Sequence, residues 1–146
     1  MRVSRRDPEQ FLETVSALSS CLRGTAAQAY AELEVGSTQA KFLRHIAQNS
    51  RISQAELARA TGTDPALAGR ALETLIERGW VRRKRSKEDR RENLLELSAL
   101  GERTRKKAEE ARARVAAQVM ATLSDRDVED FERITKKVIA ALAPKP

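Results

Sequence analysis

Apolar residues recur at Phe11, Val15, Leu18, Leu22, Ala26, Ala29 and Leu33. That spacing of about three or four positions aligns one face of an α-helix. Asp7 suits the cap of this helix and Pro8 its first position, because proline's missing N–H is an orphan donor there in any case. The stripe ends near Gly36, and a second helix is predicted from about Thr38 to Gln48, with Ser37 as its cap. Ser53-Gln54-Ala55-Glu56 then reads as a capping box, opening a helix of about seven residues that Thr61-Gly62 stops. Asp64-Pro65 opens another, running to Arg78 and stopping at Gly79. Two short helices divided by a glycine turn are what a helix-turn-helix requires.

After Gly79 the pattern changes. Trp80–Arg85 and Asn93–Leu97 read as short strands around the polar tip Ser86–Arg91, a basic hairpin that would serve as a wing. Ser98 caps a long helix to about Thr122, with Ala108, Ala111, Val115, Val119 and Leu123 on its apolar side. Ser124-Asp125-Arg126-Asp127 opens a last helix, whose stripe is Val128, Phe131, Ile134 (or Thr135), Val138 and Leu142. The expected fold is mainly α with a small antiparallel β wing. Residues 37–97 would form a winged helix-turn-helix within one domain, 1–146, flanked by dimerisation helices over 7–35 and 98–143. The first helix would be roughly 39 Å long at 1.5 Å per residue, and the central module is too small to cover all three flanking stripes. A second copy could cover them in a shared helical bundle.

Composition agrees with a helical chain: of 146 residues 40% are hydrophobic but only 3% aromatic. Alanine and leucine must therefore do most of the packing. The net charge of +7 becomes informative through its distribution. Residues 78–91 hold eight of the 28 Lys and Arg and two of the 21 Asp and Glu, which leaves 20 bases against 19 acids elsewhere. Charge concentrated on a hairpin beside a helix-turn-helix points to double-stranded DNA, where basic residues release counterions from phosphates. A two-fold dimer would place paired recognition helices about one duplex turn apart.

Several segments then resemble the MarR family of regulators: Leu57-Ala58, Thr63-Asp64-Pro65, Arg70, Leu75, Arg78-Gly79-Trp80-Val81, Arg83, Asp89-Arg90-Arg91 and Leu97-Ser98-Ala99-Leu100-Gly101. The Asp-Arg-Arg wing and the Leu-Ser-x-x-Gly that follows are the most specific, and the order of elements agrees end to end. The resemblance implies a homodimeric, sequence-specific transcriptional regulator, expected to repress from a pseudo-palindromic operator. It makes Asp64–Arg78 the recognition helix, Arg91 the minor-groove arginine and Asp89 its orienting partner, with Arg90 and Lys87 flanking it. Ser53, Gln54, Thr63, Asp64 and Arg83 complete the expected DNA-binding set. Relatives usually carry small hydroxyl residues early in the recognition helix, where this chain has Ala66, Leu67 and Gly69. These can touch thymine methyls or admit the backbone, which leaves Arg70 as the hydrogen-bonding base reader. For Leu67 the alternative is burial against the preceding helix. Trp80 reads as core, with a ligand-cavity wall as the other option.

Some relatives sense peroxide through a cysteine, but those thiols are paired with tyrosines and this chain has one tyrosine, Tyr30. Cys21 is therefore read as a small buried or half-buried hydrophobe. Other relatives bind small aromatic or anionic effectors, for which Phe42, Arg44, His45 and Trp80 are candidate lining residues. An enzyme is disfavoured, since one His and one Cys give no nucleophile–base pair, metal spacing or phosphate-cradling loop. No cofactor is expected. The stronger rival is a winged-helix module that binds protein without specific DNA binding. With no signal-peptide pattern and no stretch near the ~18 apolar residues of a membrane span, no membrane partner is expected and the chain reads as cytoplasmic.

Overall fold

The computed structural model describes residues 7–89 and 93–145. The order is α1 (Pro8–Ala31), α2 (Ser37–Gln48), α3 (Gln54–Thr61), α4 (Pro65–Glu77), β1 (Val81–Arg85), β2 (Asn93–Leu97), α5 (Ala99–Met120) and α6 (Asp125–Leu142). Helix α1 starts as expected, with the Asp7 carboxylate accepting from the Glu9 N–H at 3.0 Å. It ends sooner than the stripe suggests. Glu34 adopts a left-handed φ of 57° and the Val35 N–H donates to the Tyr30 carbonyl, so the chain turns before Gly36. The cap of α2 is Gly36 rather than Ser37, and its N–H donates to Gln39 Oε1 at 2.9 Å.

The two central helices are closed by the local chemistry their sequences carry. Ser53 Oγ accepts from the Glu56 N–H at 3.2 Å, while the Glu56 carboxylate accepts from the Ser53 N–H at 3.1 Å. Gly62, at φ 61°, makes the left-handed turn out of α3 that side chains with a Cβ disfavour. Asp64 accepts from both the Ala66 and Leu67 N–H groups and so caps α4. Phe42 and Leu43 of α2, Leu57 of α3, Leu72 and Leu75 of α4, Val81 of β1 and Leu95 of β2 are the most deeply buried large side chains. They form one core shared by the helix-turn-helix and the wing.

Strands β1 and β2 form an antiparallel hairpin in which Val81 faces Leu97, Arg83 faces Leu95 and Arg85 faces Asn93. Its middle is tied to the segment before α3, because the Leu95 N–H donates to the Ile52 carbonyl at 2.9 Å. Trp80 lies just before β1 and is buried in the core, which supports the core reading of this residue. The Arg78 guanidinium stacks 3.7 Å from the centroid of its ring and donates to the Glu34 carbonyl and to Gln39 Oε1. One arginine thus joins the end of α4 to the α1–α2 turn. Ser98 Oγ accepts from the Gly101 N–H at 3.0 Å and donates to the Gly79 carbonyl. A Cβ at Gly101 would stand 1.9 Å from the Trp80 carbonyl oxygen, so only glycine lets α5 start here.

The chain divides into two compact units between Arg112 and Ala113. The second contains the end of α5 and all of α6, which opens on a capping box between Ser124 and Asp127. No residue of α6 is buried. Among the described residues no helix is long and apolar enough to cross a membrane.

Candidate nucleic-acid interface

Helix α4 is strongly two-sided. Ala68, Leu72 and Leu75 face the core, and helical periodicity turns Ala66, Arg70 and Glu73 away from it. Leu67 is 46% exposed, so the alternative of burial against α3 is overturned. The Arg70 side chain is exposed and makes no hydrogen bond or ion pair among the described residues. The outward surface of α4 therefore carries a free guanidinium beside two apolar contacts and a glycine, Gly69, which lies against Gln54.

The other expected contacts differ in how much of their chemistry is available. Ser53 is buried and its hydroxyl is engaged in the α3 cap, while the Asp64 carboxylate is engaged in the α4 cap. The Thr63 hydroxyl shares a 2.8 Å hydrogen bond with that of Thr61. Arg83 is held within the chain by Glu73 at 2.5 Å, with Gln54 Oε1 at 3.5 Å. Lys87 is exposed. Asp89 is also exposed, and its N–H donates to Ser86 Oγ at 3.3 Å. Arg90 and Arg91, the expected wing-tip pair, lie outside the described residues.

Around the hairpin, Arg82 pairs with Glu96 at 3.2 Å and Arg51 with Glu88 at 3.1 Å. Lys84, Arg85 and Lys87 have no carboxylate partner among the described residues, so the wing retains cations for an outside anion. Sequence reasoning did not single out Lys84, Arg85 or Glu73 as site residues. The strand assignment could have supplied the first two. Periodicity places Glu73 on the face of Arg70, but nothing local shows that Arg83 reaches it.

The candidate effector residues do not share one environment. Phe42 is fully buried in the core and presents no free face, whereas Arg44 and His45 are half-buried on α2. Cys21, expected to be buried or half-buried, is exposed, as are Leu18 and Leu22 beside it on α1. On α5, Arg105 lies between Glu102 and Glu109, and hydrogen bonding raises its already high pKa while holding the Glu102 carboxyl below its ordinary value. The Asp127 carboxyl is also held low, by the Ser124 backbone N–H and side chain of its capping box. Among the described residues no group of three or more His, Cys, Asp or Glu could hold a metal ion.

Residues 36–93, from the cap of α2 through the helix-turn-helix to the start of β2, match the MarR family model. The central lobe belongs to the MarR family. The chain is 29% identical over 97 residues to the HTH-type transcriptional regulator BilQ of Clostridium symbiosum, covering 66% of this chain and 67% of BilQ. It is 30% identical over 95 residues to the transcriptional repressor MprA of Escherichia coli, covering 65% of this chain but 54% of MprA. Among solved structures, the MarR family protein Rv2887 of Mycobacterium tuberculosis, in complex with salicylic acid, superposes with a TM-score of 0.72 at 26% identity, over 93% of this chain and 99% of that one. The chain is thus a MarR-type DNA-binding transcriptional regulator and not an enzyme.

Proposed function

We propose that this MarR-type regulator acts as a homodimeric repressor on a pseudo-palindromic operator, with α4 in the major groove and the wing at the adjacent minor groove. The observation that carries this reading is the outward face of α4, where Arg70 is exposed and without a side-chain partner among the described residues, beside Ala66 and exposed Leu67. An arginine free of internal partners can bond bidentately to guanine, and small apolar side chains suit thymine methyls. Lys84, Arg85 and Lys87 would supply phosphate contacts, and Arg91, by the family pattern, the minor-groove contact. Gln54 and Thr63 would flank α4, while Ser53 and Asp64 would serve by holding the two helices in register.

The proposed dimerisation segments are 7–35 and 98–143. Their support is unpartnered apolar surface: Phe11, Leu12, Val15, Leu18 and Leu22 of α1 are exposed, as are Phe131, Ile134, Ile139 and Leu142 of α6. The repressor role draws on the relative MprA. A small aromatic anion as effector draws on the salicylic acid complex of Rv2887, with half-buried Arg44 and His45 as the side chains it would meet.

The test is a binding series on the best duplex selected from a random-sequence pool, at two salt concentrations. Arg70→Ala should cost ~1–3 kcal/mol on that duplex and much less on one altered at the contacted base pair. Lys87→Ala should weaken binding to all sequences and lower the salt slope by about one. Equal small losses for both variants on every sequence would overturn the assignment of α4 as the base reader.

A further inference from the structure

We propose that Arg83 is a positioning residue rather than a phosphate contact: its guanidinium, engaged by Glu73 and Gln54, sets the angle of the wing against the recognition helix. The proposal rests on the reading of α4 and the wing as the DNA-binding pair. Arg83 Nη2 lies 2.5 Å from Glu73 Oε1 and 3.5 Å from Gln54 Oε1, so one β1 side chain bridges the middle of α4 and the start of α3. Gln54 lies beside α4, since a Cβ added at Gly69 would stand 3.4 Å from its Nε2. Opposite Arg83 in the hairpin is Leu95, which is buried and whose N–H donates to the Ile52 carbonyl. At this level the hairpin is therefore held through both of its strands. Leu95 anchors it to the segment before α3, and Arg83 anchors it to α4. Beyond that level, towards Arg85 and Asn93, the strands are joined to each other, Leu94 bridges to Ser53, and Glu88 of the tip forms an exposed pair with Arg51.

The alternatives differ in sign. A half-exposed ion pair adds little to global stability, so its effect should appear in orientation. A cation already neutralised by a carboxylate also has few counterions left to release on DNA. Glu73 is a negative charge on the surface of α4 that carries Arg70. If it acted through charge alone, neutralising it would tighten binding to every duplex. If it holds Arg83 and the wing in place, neutralising it weakens binding to the operator.

Glu73→Gln, Arg83→Met and the exchange of the two (Glu73→Arg with Arg83→Glu) would be titrated with the selected duplex and a scrambled one across a salt series. Hydrogen exchange of the free proteins would follow the hairpin amides. The expected result is a several-fold loss on the selected duplex for each single variant, with scrambled-duplex binding by Glu73→Gln unchanged or tighter. Arg83→Met should leave the salt slope unchanged, and the exchange should recover much of the loss. Hairpin amides should exchange faster in both single variants, with α2 unaffected. Tighter binding of Glu73→Gln to both duplexes would overturn the proposal, as would a salt slope lowered by about one in Arg83→Met or unaltered hairpin exchange. A wild-type chain that binds neither duplex overturns the parent reading instead, and hairpin exchange then judges the brace alone.

Discussion

Helices α4 and α6 are both amphipathic and both open on a side-chain cap, but they differ in what covers their apolar faces. In α4, Leu72 and Leu75 are fully buried against α2, α3 and the wing. In α6 the equivalent stripe is open, with Phe131 55% and Leu142 78% exposed. Periodicity shows that a helix has a face to bury and says nothing of the surface that buries it. The central lobe buries its core together with Tyr30 of α1 and Ala108 of α5, whereas α6 and the first half of α1 carry exposed apolar side chains among the described residues. Exposed patches of this kind mark association surfaces, which is why the dimer is proposed there.

The contrast can be broken most forcefully in the core. Leu72→Ala should cost about 2–5 kcal/mol in denaturant unfolding, because the site is closed on all sides and cannot collapse. A loss below that range would mean the lobe is more loosely packed than its burial indicates. Phe131→Ala combined with Ile134→Ala should barely alter unfolding of the lobe. It should weaken self-association by about 1.5–3 kcal/mol for each side chain removed from an interface, read as a shift in the monomer–dimer equilibrium by sedimentation. An unchanged equilibrium would show that α6 buries its stripe elsewhere.

The two capping boxes give a finer version of the same comparison. Ser53→Ala should cost ~0.5–2 kcal/mol, since α3 is eight residues long and its cap is buried beside the β1–β2 hairpin. Ser124→Ala, at an exposed cap, should cost less than Ser53→Ala when both are measured by thermal unfolding. The smallest effect expected is in pH. The Asp127 carboxyl is held below its ordinary value of 3.8 by the Ser124 hydrogen bonds, so its contribution is complete above that pH and is lost as pH falls through the lower folded value. Asp127→Asn, which removes the titrating carboxyl, should flatten this acid dependence of α6 helicity, followed by circular dichroism. An identical acid profile in the two proteins would remove the Asp127 carboxylate as its origin.

Much of the fold could be read along the chain because the deciding chemistry lies within a few residues. Ser53 and Glu56, Asp64 and Pro65, Gly62 and Gly79, and Ser124 and Asp127 place helix ends through bonds or backbone angles that involve only near neighbours. The recognition helix and Arg70 on its outward face follow from those ends and a helical period. The candidate site was less legible where function depends on side chains already engaged. Arg83 and Glu73 are ten residues apart, and Arg78 meets Glu34 across 44, so no local pattern connects them. Gly101 stands in a recognisable Leu-Ser-x-x-Gly, yet the need for glycine comes from the Trp80 carbonyl packed against it. Cys21 shows the converse. Its place beside Leu18 and Leu22 suggested burial, but a stripe excludes water only when another surface reaches it. Helix ends and helix faces are local properties, set by backbone hydrogen bonding and side-chain period. Which face is covered, and which charge is already neutralised, depends on residues brought together from distant parts of the chain.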